Sequence, residues 1–157
     1  MANFGTFTAS TALLAADLNK IGGAWTTYTP TYTGITVGNG TVASSYVRIG
    51  RTVVYSYRLT LGSTTTIGTD PKVSIPTASA TGNEIDGTSV MMYDSSGPTR
   101  YFGHLYSASS TTIGLVADTA SGTYSTGTAI SASIPMTWAT GDLIMFCLVY
   151  QSSTDPT

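Results

Sequence analysis

Residues 51–61 have the sequence RTVVYSYRLTL, in which apolar and aromatic residues alternate with polar ones. Five large side chains share one face: Val53, Tyr55, Tyr57, Leu59 and Leu61. The other face is polar except for Val54. Because successive side chains of a β-strand point to opposite sides, this period of two predicts a strand with one face in a core and the other in solvent.

The composition extends this prediction to the rest of the chain. Of 157 residues, 30 are Thr, 19 are Ser and 17 are Gly. Thr favours strands, whereas Ser and Gly favour turns, so the bias indicates an all-β protein. The length fits one domain with its own core. Charged residues make up 9%, against about 25% in a typical domain. Such a surface repels its neighbours weakly, which favours packing against copies of itself or within a larger assembly.

Turn-forming residues divide the chain into about nine strand-like segments. Pro30 restricts its strand to an edge or a bulge. Residues 38–40, Gly-Asn-Gly between two β-prone runs, predict a hairpin with a tight turn. Residues 120–127 are predicted to form a polar loop and residues 130–134 a strand. Residues 142–150 are apolar on both faces, which predicts a central strand covered on both sides. Together these features predict an antiparallel β-sandwich or jelly roll.

A short region precedes the first predicted strand. Residues 1–9 have the character of an extended arm, and a helix capped by Ser10 or Thr11 is predicted after it. Its apolar residues, the candidate anchor, are Leu13, Leu14, Leu18 and Ile21. We therefore divide the chain into an arm and helix at 1–24 and a β-sandwich domain at 25–157. A helix of about 11 residues is marginal alone in water. It is expected to dock on its own domain, on symmetry mates or on a host particle, and these alternatives remain open.

Few side chains suggest catalysis. His104 is the single histidine and is expected to have a structural or surface role within its strand. Cys147 is the single cysteine and is expected to be a small buried side chain of an apolar strand. Glu84 and Asp86 lie two residues apart in a predicted turn, which they either cap or use to bind Ca²⁺. We predict a protein that is not an enzyme, with no catalytic, cofactor or assigned metal-binding residues.

Charge and hydropathy exclude two classes of partner. The net charge is −2 and no basic stripe forms, so nucleic-acid binding is not expected. The longest apolar run, residues 143–150, is far shorter than the ~20 residues of a transmembrane helix, so membrane insertion is not expected. The first residues lack the features of a secretory signal peptide, which favours synthesis in a cytoplasm.

Aromatic residues are the remaining candidates for ligand contact. The chain has ten Tyr and two Trp but only four Phe, and Tyr and Trp are common where a β surface contacts sugar or protein. The predicted ligand-facing residues are Tyr28, Tyr32, Tyr93 and Tyr101. They could form a stacking platform with Trp25 and Trp138. The alternative is that both tryptophans cap the ends of the core.

Several motifs, in order, resemble a β domain of tailed-bacteriophage virion proteins. They are WTTYTPT at 25–31, GNGT at 38–41, YVRIGRTV at 46–53, LGSTTTIG at 61–68 and PMTWATGD at 135–142. The segment LLAADLN at 13–19 is similar to the lead-in that often precedes such domains. The resemblance implies a jelly-roll-like sandwich, usually trimeric, on a tail, tail fibre or capsid surface, with no catalytic residues.

The function expected from these observations is that of a non-enzymatic virion structural protein. Only about 24 residues precede the domain, too few for a fibre shaft, which favours a capsid-decorating protein or a small tail-surface subunit. Its partners would be copies of itself, forming a homotrimer, and other capsid or tail proteins. The expected location is the virion surface, after synthesis in the host cytoplasm. The alternative is a module at the tail tip that binds a host receptor or glycan.

Overall fold

The computed structural model describes residues 23–80, 85, 88–120 and 124–154. Within these residues there are ten strands and no helix. The strands are β1 (Thr26–Thr27), β2 (Tyr32–Thr36), β3 (Thr41–Ile49), β4 (Thr52–Thr60), β5 (Thr66–Ser74), β6 (Ser89–Asp94), β7 (Thr99–Ser109), β8 (Thr112–Ala120), β9 (Ser125–Ala129) and β10 (Leu143–Gln151). The prediction of an all-β protein is confirmed, and the predicted helix and the Glu84–Asp86 turn lie outside the described residues.

All strands pair antiparallel in one continuous sheet. Its order is β1-β3-β4-β10-β6-β7-β8-β5-β2, and β9 adds to β8. The sheet curls into a half-barrel, so that one side of every long strand faces a shared interior. The other side forms the outer face of the half-barrel.

One segment of chain bonds to both ends of this sheet. Residues 26–28 run beside β3, where the Tyr28 N–H donates to the Ser44 carbonyl at 3.0 Å. The chain then bends at Pro30, which is buried, and continues beside β5. There the Ser74 N–H donates to the Thr31 carbonyl at 2.9 Å. Because β1 and β2 are the two terminal strands of the order, the prediction that Pro30 lies at an edge is confirmed.

The core contains the side chains that the alternation in residues 51–61 predicts. Val53, Tyr55 and Leu59 are 0% exposed, and Tyr57 is 2% exposed. The Tyr57 ring stacks on Phe146 of β10, with centroids 4.8 Å apart, and Tyr55 meets the same ring edge-on at 5.5 Å. Such aromatic pairs contribute about 0.5–1.5 kcal/mol beyond their burial. The phenol groups find partners, since Ser44 Oγ donates to Tyr55 at 3.2 Å.

Strand β10 lies at the centre of the sheet, but described residues cover only one of its faces. It pairs with β4 along its whole length and with β6 along half of it. Ile144, Phe146 and Leu148 point inward and are buried. The predicted central position is confirmed, whereas the predicted cover on both sides is wrong. Cys147, which was expected to be buried, is exposed, because it lies on the outer face where no second layer packs among the described residues.

The Gly-Asn-Gly segment makes a turn but not a hairpin. The Gly40 N–H donates to the Val37 carbonyl at 2.9 Å, as a tight turn requires. The flanking strands nevertheless pair elsewhere, β2 with β5 and β3 with β4. The Asn39 side chain instead binds the next turn, accepting from the Thr64 N–H at 2.9 Å and donating to Ser63 Oγ at 3.0 Å. The turn therefore carries the chain from one end of the sheet to the other.

Two further segments differ from their prediction. Residues 125–127, the last three of the predicted polar loop, belong to β9, which pairs with β8. Their Ser, Thr and Gly composition is typical of loops. At position 127 the pairing with β8 favours Gly, because an added Cβ would lie 2.5 Å from the Val116 side chain and 2.7 Å from the His104 ring. Residues 130–134, expected to form a strand, form none. The Ile130 N–H donates to the Leu115 carbonyl at 3.2 Å, its carbonyl accepts from the Asp70 N–H at 3.0 Å, and Ser131 and Ile134 make a local bridge.

No helix in the described ranges is long and apolar enough to cross a membrane.

The Tyr28 hydroxyl connects the bent segment to β5. It contacts Ser74 Oγ at 2.7 Å and donates to the Ile75 carbonyl at 3.0 Å. We expect Tyr28→Phe to lower the free energy of unfolding by about 1 kcal/mol, because the Ile75 carbonyl loses its donor. The matched control is Tyr46→Phe, since its ring contacts Tyr28 edge-on but its hydroxyl has no hydrogen-bond partner in the described part of the chain. Urea denaturation of both variants measures this difference, and equal losses would contradict it.

The buried tyrosine hydroxyl groups predict that the folded protein loses stability at alkaline pH. Burial raises the pKa of Tyr55 well above 10, and burial together with the Tyr32 hydroxyl does the same for Tyr57. Below about pH 10 both contribute fully to stability, because folded and unfolded tyrosines are all neutral. Above that pH the unfolded chain ionises first. Each group then lowers the unfolding free energy by about 1.4 kcal/mol per pH unit at most.

We therefore expect Tyr57→Phe to show a shallower decline of stability between pH 10 and 11 than the unaltered protein. Denaturant titrations at several pH values measure the slope. Tyr124→Phe is the control, because the Tyr124 ring is 81% exposed. An unchanged slope in Tyr57→Phe would mean that this phenol is not kept neutral by the fold.

Candidate functional site

The outer face of the sheet carries an exposed apolar surface at its centre. We define the outer apolar patch as Met91 of β6, Phe102 of β7, and Met145, Cys147 and Val149 of β10. Phe102 is 59% exposed and Val149 is 54% exposed. Cys147 is also exposed, and both methionines are half-buried. Large apolar side chains in one contiguous area of a surface are typical of contacts with other molecules.

Strand register places three residues of the patch, together with Arg58, in one line across four strands. Arg58 of β4 pairs with Met145, Met145 with Met91, and Met91 with Phe102. Each of these residues points outward because its neighbours along the strand, such as Tyr57 and Phe146, fill the core. A shallow groove of about 480 Å³ runs along this line and includes Cys147 in its lining.

Opposite charges border the line at its two ends. Arg58 is exposed, and no carboxylate of the described residues pairs with it. At the other end, Ala117 of β8 pairs with Gly103, so Asp118 lies beside Phe102. The Asp118 carboxylate binds His104 Nδ1 at 2.7 Å, and both side chains are more than a third exposed.

The His104–Asp118 pair has one feature of a catalytic element. A carboxylate on one imidazole nitrogen is the arrangement that orients a general base. Ser89 is directly across from His104 on β6, but no hydrogen bond joins the two side chains. Among the described residues, no group of three His, Cys, Asp or Glu side chains is close enough to hold a metal ion.

A second polar cluster on the same face is internally satisfied. Lys72 Nζ binds Asp70 Oδ2 at 2.5 Å, and the Tyr106 hydroxyl donates to Asp70 Oδ1 at 2.6 Å. These bonds, that from Lys72 first, hold the pKa of the Asp70 carboxyl below its usual value. The Tyr106 ring crosses Gly114, where an added Cβ would come within 2.1 Å of the ring. The cluster ties β5 to β7 across β8.

The four predicted ligand-facing tyrosines do not share a surface. Tyr28, Tyr32 and Tyr101 are partly buried and pack against the core. Tyr32 accepts a hydrogen bond from Tyr57 at 3.4 Å. Only Tyr93 lies on the outer face, where the Arg100 guanidinium is 5.2 Å from its ring centroid.

The two tryptophans differ in how far they are buried. Trp138 packs against the core, and its indole N–H donates to the Ser131 carbonyl at 2.7 Å. Trp25 is 55% exposed. The candidate anchor residues Leu13, Leu14, Leu18 and Ile21 lie outside the described residues, as do Glu84 and Asp86, so nothing tests these predictions.

Sequence reasoning did not identify the outer apolar patch. The signal is present in β10, where residues on both faces are apolar, but the same pattern predicts burial on both sides. Met91 and Phe102 alternate with core residues in the same way. Only the strand order brings β6, β7 and β10 together.

No family model, curated protein or solved structure matches this chain.

Proposed function

We propose that this protein is a non-enzymatic structural subunit of a tailed-bacteriophage particle. It acts by assembly, as a homotrimer displayed on the virion surface, either decorating the capsid or forming a small part of the tail surface. The proposal combines the motif resemblance, which runs from residue 13 to residue 142, with the character of the outer face. The proposal includes a fold related to the jelly roll. One curled antiparallel sheet whose two ends share a core supports this relationship.

The observation that carries the proposal is the outer apolar patch. Burying a Phe or Met side chain fully is worth about 1.5–3 kcal/mol, and Phe102 is left 59% exposed at the centre of its sheet. A chain with only 9% charged residues has little electrostatic repulsion to keep such surfaces apart. Contact with protein on the assembled particle would cover the patch.

Attachment to the particle is proposed for residues 1–24. The apolar residues Leu13, Leu14, Leu18 and Ile21 would contact other virion proteins or neighbouring subunits. The described chain begins at Gly23, which lies against Val47 of β3. Val47 belongs to the outer face and pairs with Val54, which pairs with Val149 of the patch. Gly23, the first described residue, thus lies on the side that carries the patch.

The second candidate is a receptor- or glycan-binding module at the tail tip, and one observation favours it. Tyr93 lies on the outer face with a guanidinium over its ring. An outward aromatic ring with a neighbouring cation and polar groups suits stacking against a sugar. The other three predicted tyrosines pack against the core, so this candidate now depends on Tyr93.

The first experiment images a label on this protein on intact particles. Label over the head would support decoration, label at the tail would support a tail-surface subunit, and no label on any particle would overturn the virion proposal. In the same system we expect Phe102→Asp to reduce incorporation at least tenfold, because a charge cannot be buried unpaired in an apolar contact. Tyr124→Asp, at a side chain that is 81% exposed, is the control. Equal incorporation of both variants would remove the patch from the proposal.

The glycan-binding candidate predicts a different defect. Tyr93→Ala should weaken attachment of particles to host cells several-fold without changing incorporation, because the half-buried Tyr93 ring lies on the outer face and a ring there can stack on a ligand without being part of the core. Tyr124→Ala is the matched control at another outward tyrosine. Cell-binding assays with purified particles measure the effect. Unchanged attachment would eliminate Tyr93, and with it this candidate.

A further inference from the structure

The turn between β2 and β3 contains a chemically labile pair, Asn39 followed by Gly40, and the sequence has no other Asn-Gly pair. Asparagine before glycine loses its amide nitrogen readily, because glycine has no Cβ to hinder attack by its main-chain nitrogen. Packing favours glycine at position 40, since an added Cβ would lie 2.6 Å from Thr65 Oγ1 and 2.9 Å from the Thr60 and Val37 carbonyl oxygens. The fold therefore retains the labile pair.

We propose that Asn39 is a site of spontaneous deamidation, protected by the native turn and exposed when the turn opens. In this reaction hydroxide removes the proton of the Gly40 N–H, and the nitrogen attacks Asn39 Cγ. A new C–N bond forms and the Cγ–Nδ2 bond breaks. The Nδ2 group leaves as ammonia after taking a proton from water, which restores the hydroxide. Water then opens the succinimide ring to aspartate or isoaspartate. This inference does not depend on the proposed assembly function.

The native turn directs the nucleophile away from Asn39. Once the proton has left, the reactive lone pair lies in the peptide plane along the former N–H bond. In the structure that bond points to the Val37 carbonyl oxygen, which accepts from the Gly40 N–H at 2.9 Å. The lone pair would face this electron-rich oxygen instead of Asn39 Cγ. Because attack requires aligned orbitals, the ring closes only after the turn has opened.

The turn between β4 and β5 holds the Asn39 side chain in place. Asn39 Oδ1 accepts from the Thr64 N–H and from Thr64 Oγ1, both at 2.9 Å, and Nδ2 donates to Ser63 Oγ at 3.0 Å. The Asn39 N–H donates to Thr64 Oγ1 at 2.9 Å. The two donors on Oδ1 resemble an oxyanion hole, but they assist the attack only if the nucleophile is aligned with Cγ. Alignment therefore decides the result, and the side chain is protected.

Deamidation would separate the two turns. Both products lose the amide group that donates to Ser63 Oγ. Isoaspartate also places an extra carbon in the main chain before Gly40, which displaces the N–H that bonds to Val37. This turn carries the chain from one end of the sheet to the other. A copy modified while unfolded would therefore refold to a less stable protein.

The test compares the native full chain with the free peptide of residues 35–43 at about pH 8.5, where tyrosines are neutral. Mass spectrometry after digestion at acidic pH measures the deamidated fraction of Asn39 over time. We expect the native chain to react at least about tenfold more slowly than the peptide, because the rate follows the population of the opened turn. The chain unfolded in urea should match the peptide in urea. A native rate less than about tenfold below that of the peptide would overturn the inference.

Thr64→Val tests whether hydrogen bonds provide the protection. Valine keeps the branched shape but removes the Oγ1 bonds to Asn39 Oδ1 and to the Asn39 N–H. We expect this variant to deamidate several-fold faster than the unaltered protein while circular dichroism shows it folded. Thr66→Val is the matched control, since Thr66 is exposed on β5 and makes no hydrogen bond to Asn39. If Thr64→Val does not fold, Ser63→Ala removes the Nδ2 bond in its place. Equal rates in the test variant and in Thr66→Val would overturn the protective role of these bonds.

Discussion

The structure depends on one bent segment, residues 26–36, that is hydrogen-bonded to both ends of the sheet. Its first part pairs with β3 and its second part with β5, on either side of Pro30. Proline lacks an N–H, so the bend leaves no donor unpaired at this point. An open sheet of this width would expose its inner face. Bonding the two ends through one segment holds the sheet curled, and the curl makes a single core possible.

The curl gives the two faces different roles. Inside, tyrosine hydroxyls reach across the core to groups on other strands, as in the bonds of Tyr28 to Ser74 and of Tyr57 to Tyr32. Burial raises the pKa of the Tyr57 phenol, which couples stability to alkaline pH. Outside, no second layer of described residues covers the sheet, so apolar side chains of β6, β7 and β10 remain available for contact. A one-layer architecture with an apolar strand near its centre thus leaves apolar side chains exposed on the outer face.

Prediction succeeded where a property belongs to one strand. The alternation at Val53, Tyr55 and Leu59 identified both the strand and its buried face, because side-chain direction is a local consequence of strand geometry. Prediction failed where the fold depends on which strands pair with each other. The turn at Gly38-Asn39-Gly40 is present, but its flanking strands pair with β5 and β4 instead of each other. For the candidate site, the sequence marked Tyr93 as outward-facing but gave no reason to join Phe102 with Met145.

The sequence by itself determined the class of this protein: all-β, poor in charge, with alternating strands, an edge proline and a central last strand. These features follow from local side-chain spacing and composition, which do not depend on distant residues. Only the tertiary structure decided that the strands form one curled sheet, that Cys147 is exposed, and that Arg58 and Asp118 flank the same apolar line. Those properties depend on strand order and register between residues up to about a hundred positions apart, and no local pattern encodes which strands become neighbours.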